Sequence, residues 1–187
     1  MHDPVVSSDD DLLIVVDEDD REVGHLDKRA CHDGEGVLHR AFSVFIFNGR
    51  GELLLQRRAD EKRLWPGFWS NSCCSHPRRG EGLDEAAARR LEEELGIAAE
   101  LEYLYTFRYH ARYGDAGSER EMCSVFAGRS DGPVRANRRE VAQWRWIAPA
   151  DLEAELTRDP EAFTPWMKLE WPEVKAARGT APGNGGR

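Results

Sequence analysis

The chain has 187 residues, enough for one domain with a sizeable core and too few for two full domains. With 35 acidic against 26 basic residues, the net charge of −9 argues against general nucleic-acid binding but leaves room for a local basic pocket. No apolar run approaches the roughly 20 residues of a membrane span, Met1 to Pro4 carries no signal-peptide pattern, and the 4 cysteines form no C-x-x-C pair, so a cytoplasmic protein with reduced thiols is expected.

Residues 1–11 are polar and acidic and read as a flexible N-terminal segment. Leu12 to Val16 is a short apolar run ahead of the acidic turn Asp17 to Asp20, which predicts a strand. Asp27 to His32 reads as one helical turn, stopped by Gly34 and Gly36. Leu38 to Phe47 and Glu52 to Gln56 flank Asn48-Gly-Arg-Gly51, whose glycines supply the positive φ of a hairpin turn, so a β-hairpin is predicted. Its second strand runs into Arg57, Arg58, Lys62 and Arg63, a basic cluster that is either a solvated loop or a grip for phosphate.

Trp69-Ser-Asn-Ser-Cys-Cys-Ser-His-Pro77 sets a thiol two residues from an imidazole. On an extended backbone that pair shares one side, which can place a proton donor beside a metal ligand; the alternative is a buried cysteine beside a surface histidine. Leu83, Ala87, Leu91 and Leu95 recur at spacings of four and Gly96 supplies a stop, which predicts a helix over 83–95. Its far face carries Arg89, Arg90, Glu93 and Glu94, a pattern that surface ion pairing alone explains.

Leu101 to Tyr113 alternates, with Leu101, Tyr103, Tyr105, Phe107, Tyr109 and Ala111 on one face. The strand Glu119 to Ala127 puts Glu119, Glu121, Cys123 and Val125 on one face; if that face is interior, two carboxylates repel unless a cation holds them. Periodicity leaves the choice of face open, because Met122 and Phe126 mark the other one equally well. Trp144 to Ile147 is a further strand, Ala148-Pro-Ala-Asp-Leu152 opens a helix, a last helical segment lies near Phe163 to Val174, and 176–187 read as a flexible tail. The expectation is one α+β or layered α/β domain over 12–175.

Ser75 to Ile97 approximates the Nudix box, G-x5-E-x7-R-E-U-x-E-E-x-G-U with U aliphatic, through Glu81, Arg89, Leu91, Glu93, Glu94, Gly96 and Ile97. Ser75 replaces the first glycine and Arg90 the glutamate after the arginine. Over roughly Val15 to Trp171 the chain resembles the type 1 isopentenyl-diphosphate isomerases, a Nudix-fold family in which those departures are expected. The resemblance is carried by Lys28/His32, Leu38 to Ser43, Arg57 to Ala59, Lys62 to Gly67, Trp69 to Pro77, Arg89 to Gly96, Phe107 to Tyr109, Glu119 to Glu121 and Pro165 to Met167.

The resemblance implies an α/β/α-layered Nudix fold and interconversion of isopentenyl and dimethylallyl diphosphate by a 1,3-allylic proton shift in isoprenoid biosynthesis. It implies a divalent metal, Zn²⁺, Mn²⁺ or Mg²⁺, held by His32, His39, His76, Glu119 and Glu121, and so turns the two glutamates inward. A second ion, Mg²⁺, is implied between the diphosphate, Glu94 and the main-chain carbonyl of Cys74, with Lys28, Arg58, Lys62 and Arg90 as diphosphate ligands. Cys74 and Glu121 are the implied proton-transfer pair, with Tyr109 hydrogen-bonded to the carboxylate, and Trp166 is the implied cation–π partner of a carbocation. Which of the pair is acid and which base stays open at this point, with delivery by Glu121 and receipt by Cys74 as the working hypothesis. The spacing to His76 and Pro77 selects Cys74 over Cys73, which reads as packing, as do Cys31 and Cys123. A monomer without nucleic-acid or membrane partners is expected. The rival readings are a Nudix pyrophosphohydrolase, which needs no Cys74, and a non-catalytic zinc-stabilised domain using Cys31, His32, Cys74 and His76.

Overall fold

A computed structural model describes residues 3–180. In chain order the strands are β1 (Leu12–Val16), β2 (Glu22–Asp27), β3 (His39–Phe47), β4 (Leu53–Arg58), β5 (Trp69–Ser70), β6 (Cys73–Ser75), β7 (Leu101–Tyr113), β8 (Gly117–Arg129) and β9 (Val141–Ile147). The helices are α1 (Lys28–His32), α2 (Leu83–Leu95), α3 (Pro149–Arg158) and α4 (Pro165–Thr180), with a 3₁₀ turn at Pro160–Ala162.

The predicted hairpin forms at its turn and parts along its arms. Asn48 N–H donates to Glu52 O at 3.0 Å and Gly51 N–H to Asn48 O at 2.9 Å, with Gly51 at φ +77°. Beyond Phe47 and Leu53 the two arms separate. β3 takes β8 as a parallel neighbour, from His39 opposite Glu121 to Phe47 opposite Arg129, while β4 pairs antiparallel with β9. Apolar side chains on both faces explain the parting, because a strand buried on both sides needs neighbours from elsewhere in the chain.

The faces of β3 divide by parity. Phe42, Val44 and Ile46 pack with Ala87, Leu91 and Leu95 of α2, whereas Phe45 and Phe47 pack with Met167, Trp171 and Val174 of α4. The sheet therefore lies between helices, the α/β/α layering expected. Gly96 ends α2 at φ +65°, where an added Cβ would come within 2.9 Å of Arg135 Cβ.

Three expectations need correction. Arg90 and Glu94 are not on a solvated face of α2: each is only 2% exposed, and Arg90 Nη2 donates to Glu94 Oε1 at 2.5 Å. The alternation of β7 is broken by a register shift between Tyr103 and Tyr105, so Leu101 packs on the α2 side, Tyr105 and Phe107 on the α4 side, and Tyr103 is left 55% exposed. The C-terminal helix runs past the expected boundary at 176 to Thr180, with Val174 buried and the Arg178 guanidinium over the Phe47 ring; the rest of the expected tail, 181–187, lies outside the described residues.

Residues 3–11 contain no helix or strand but are tied down across the domain. Asn137 Nδ2 donates to Pro4 O at 3.0 Å, Arg90 Nη1 to Val6 O at 2.8 Å and Lys28 Nζ to Ser7 Oγ at 2.5 Å. No described helix is long and apolar enough to cross a membrane.

Candidate active site

Asp27 caps α1 by accepting the Ala30 N–H at 2.8 Å, and the single turn carries His32 inward. His39 opens β3 directly opposite Glu121 on β8, and His76 follows β6, itself paired to β3. Glu119 and Glu121 are both buried, and so are Met122 and Phe126 on the opposite face, so β8 is covered on both sides and the two carboxylates lie in the interior. The five side chains bring one ligand atom each within 4.8 Å of one another, close to twice a metal–ligand bond of about 2.2 Å.

The imidazoles are oriented from behind. His32 Nδ1–H donates to Lys28 O at 2.6 Å and His39 Nδ1–H to Val37 O at 2.7 Å, which leaves each Nε2 with its lone pair facing the cluster. Both Nε2 atoms and Glu119 Oε2 are buried without a hydrogen-bond partner, although His32 Nε2 lies 2.8 Å from that oxygen. Burial, and the Glu119 carboxylate next to it, push the Glu121 carboxyl well above its usual range. Burial opposes the charge on Glu119 too, yet His32 holds that carboxyl down to about 2. Orphaned lone pairs and crowded carboxylates are what a divalent cation would satisfy, so the residues fit one. Ligands of this mixed N/O type do not select among Zn²⁺, Mn²⁺ and Mg²⁺.

Next to the cluster is a cavity of about 270 Å³, at the small end of small-molecule sites. Lys28, Arg58, Lys62 and Arg90 line it, as do Cys74, Tyr109 and Trp166. Arg58 donates to Leu64 O at 2.9 Å and Trp65 O at 3.1 Å, and its guanidinium lies 5.2 Å from the Trp166 ring centre. His39 and Glu94 stand behind the wall, not on it: Glu94 Oε1 takes Arg90, and Glu94 Oε2 takes Gln56 Nε2 at 3.2 Å.

Tyr109 O–H donates to Glu121 Oε2 at 2.7 Å, while Glu121 Oε1 faces His76 Nε2 at 2.9 Å. Burial, ahead of the Glu121 charge, pushes the Tyr109 hydroxyl well up and keeps it a donor. Cys74 Sγ lies 3.0 Å from the Trp166 indole N–H and 2.8 Å from Asn71 Oδ1. Burial, then the Glu170 carboxylate, push the Cys74 thiol up to about 12. Cys73 is fully buried in the α2-side core. Cys31 and Cys123 are also buried free thiols.

Sequence reasoning missed Glu140. It sits among the basic groups, paired with Lys62 and lying 3.1 Å from Arg90. Nothing in the local pattern Arg138-Arg-Glu140 marks it, since its place depends on the β4–β9 pairing. Ser7 and Asp9 also line the cavity, from a segment that reads as unstructured.

A family model described as NUDIX domain matches residues 37–167. Isopentenyl-diphosphate Delta-isomerase 1 of Photorhabdus laumondii is 44% identical over 164 residues, covering 87% of this chain and 93% of the relative. The isopentenyl-diphosphate Delta-isomerase of Burkholderia multivorans is 46% identical over 158 residues, covering 84% and 89%. Among solved structures, DR0079 from Deinococcus radiodurans superposes with a TM-score of 0.65 at 25% identity, covering 79% of this chain and 90% of that one. The MutT protein from Methanosarcina mazei, at 20% identity, gives a TM-score of 0.60 over 78% and 96%.

Proposed function

The chain belongs to the isopentenyl-diphosphate Delta-isomerase family and isomerises isopentenyl diphosphate to dimethylallyl diphosphate, and we propose that Cys74 and Glu121 are the groups that move its protons. One observation carries this assignment: the thiol and the Tyr109-bonded carboxylate line a single cavity together with basic side chains that include Lys28, Arg58, Lys62 and Arg90. The basic wall suits a diphosphate, and the thiol and carboxylate suit the alkene.

An unactivated alkene is a very weak base, and adding a proton to its terminal carbon creates a tertiary carbocation. Losing a proton from C2 then completes the allylic shift. The Glu121–Tyr109 side delivers the first proton, through the oxygen facing Tyr109, and Cys74 takes the second after giving up its own thiol proton, which burial holds in place in the substrate-free site. Trp166, set edge-on to Trp65 with centroids 5.3 Å apart, lends its π-system to the cation and helps exclude water.

His32, His39, His76, Glu119 and Glu121 would hold one divalent cation, whose positive charge lets two carboxylates share the site. For Glu94 to meet Mg²⁺ arriving with the diphosphate, as the resemblance implies together with the Cys74 carbonyl, Arg90 or Gln56 would have to release one of the two oxygens they now occupy. One chain can supply all of these groups, so the site needs no residue from a second copy, and its four free thiols suit a reducing compartment such as the cytoplasm.

The test is incubation of metal-loaded protein with isopentenyl diphosphate in heavy water, following deuterium in dimethylallyl diphosphate by NMR. Exchange is expected in the wild type, and Cys74→Ala should lower kcat by about 100- to 10,000-fold. Release of phosphate in place of exchange would defeat the isomerase reading, and near-normal turnover by Cys74→Ala would defeat the assignment of Cys74.

A further inference from the structure

Asn71 lies in the short link between β5 and β6, and none of its surface is exposed. Its amide cannot be turned over without loss. Nδ2 donates to Val44 O at 3.1 Å and to Cys73 O at 3.0 Å, two carbonyls that only an NH₂ group can satisfy. Oδ1 must therefore point the other way, where it accepts from Ser70 O–H at 2.9 Å and from Cys74 S–H at 2.8 Å.

That direction fixes the rest of the network. With its own proton given to Asn71, Ser70 Oγ accepts the Trp166 indole N–H at 2.9 Å and the Thr164 hydroxyl at 3.1 Å. The same indole N–H lies 3.0 Å from Cys74 Sγ, and indole is only a donor. Around the sulfur, Trp166 can give a proton but not take one, and Ser70, 3.6 Å away, has both lone pairs already taken by Trp166 and Thr164. The acceptor left for the thiol proton is Asn71 Oδ1.

We propose that Asn71 is a positioning residue for Cys74, its amide oxygen fixing both the seat of the sulfur and the direction of the S–H bond at the cavity wall. The inference rests on Cys74 being a proton-transfer group. A thiol is a weak donor that turns freely about Cβ–Sγ, so without a strong acceptor its proton would have no fixed direction. When the thiolate takes a proton from C2, the amide oxygen gives the new S–H a defined partner.

The bland alternative is that Asn71 only ties the β5–β6 link to Val44 and Cys73. Infrared difference spectra in the S–H stretching region separate the two roles. In the metal-loaded enzyme, the wild-type-minus-C74A band is expected at lower frequency than the band of N71A minus N71A/C74A. N71A should also lose about 100-fold in kcat, the cost of a displaced catalytic group, with KM within threefold of wild type. An unshifted or missing wild-type band overturns the proposal, and so does kcat within threefold in a folded N71A. If N71A does not fold, the wild-type band is compared with that of the urea-unfolded chain, where a shift to lower frequency supports the proposal and equality overturns it. Normal turnover by C74A would sink the role of Cys74 itself, a result distinct from an unshifted band in an enzyme that C74A inactivates.

Discussion

Lys28 shows how one side chain is tuned by its surroundings. Its ammonium donates to Ser7 Oγ at 2.5 Å inside the basic wall, and burial, followed by the charge of Lys62, pushes its pKa down to about 8. The charged form is lost as pH rises through about 8, well below the usual lysine range. If only protonated Lys28 grips the diphosphate, the charged fraction falls about tenfold between about pH 7 and 9, and KM for isopentenyl diphosphate should rise by a similar factor. Arginine stays charged across this range, so Lys28→Arg should flatten the rise. Parallel KM–pH profiles for the two proteins would refute the role of Lys28.

At the scale of elements, short-range pattern located α2 and the turn between β3 and β4 but not what they pack against. Helical periodicity gives the position of Arg90 on its helix; that the same position is buried against Glu94 and Glu140 depends on β4, β9 and the N-terminal segment. The partners of β3 lie some 80 residues away in β8, where no local signal can name them. Glu170 of α4 was passed over for the same reason: it is fully buried, accepting from Cys123 Sγ at 3.6 Å with Oε2 unpartnered. Burial raises its pKa to about 8. Because the folded value lies above the unfolded one, its contribution to stability is full below about pH 4.5 and is lost as pH rises towards 8. Glu170→Gln removes that loss. Its stability relative to wild type should grow by on the order of 3 kcal/mol between about pH 5.5 and 8.5. Urea unfolding at the two pH values checks this, and a constant difference would mean that Glu170 ionises freely.

At the scale of the whole molecule, the candidate metal cluster gathers α1, β3, the segment after β6 and β8 around one point. Local reading found the thiol–imidazole pair and left the glutamates undecided; only the ordered blocks over the full chain joined His32, His39 and His76 to them. Assembly by folding has a thermodynamic consequence. A cation that binds the folded chain alone stabilises it by about 2.7 kcal/mol at a concentration of 100 Kd. For a chain of 150–250 residues, each kcal/mol moves Tm by about 2–4 °C. Chelation should therefore lower Tm by roughly 5–11 °C, and adding Mn²⁺, Zn²⁺ or Mg²⁺ back in turn should restore it to different extents, ranking the metals independently of activity. Scanning calorimetry gives the answer directly. His39→Ala supplies the control, since it removes an imidazole whose Nε2 is buried without a hydrogen-bond partner. That variant should start with a lower Tm and respond little to chelator. A wild-type Tm indifferent to chelator and to every added cation would mean that these five side chains are a polar core and not a metal site.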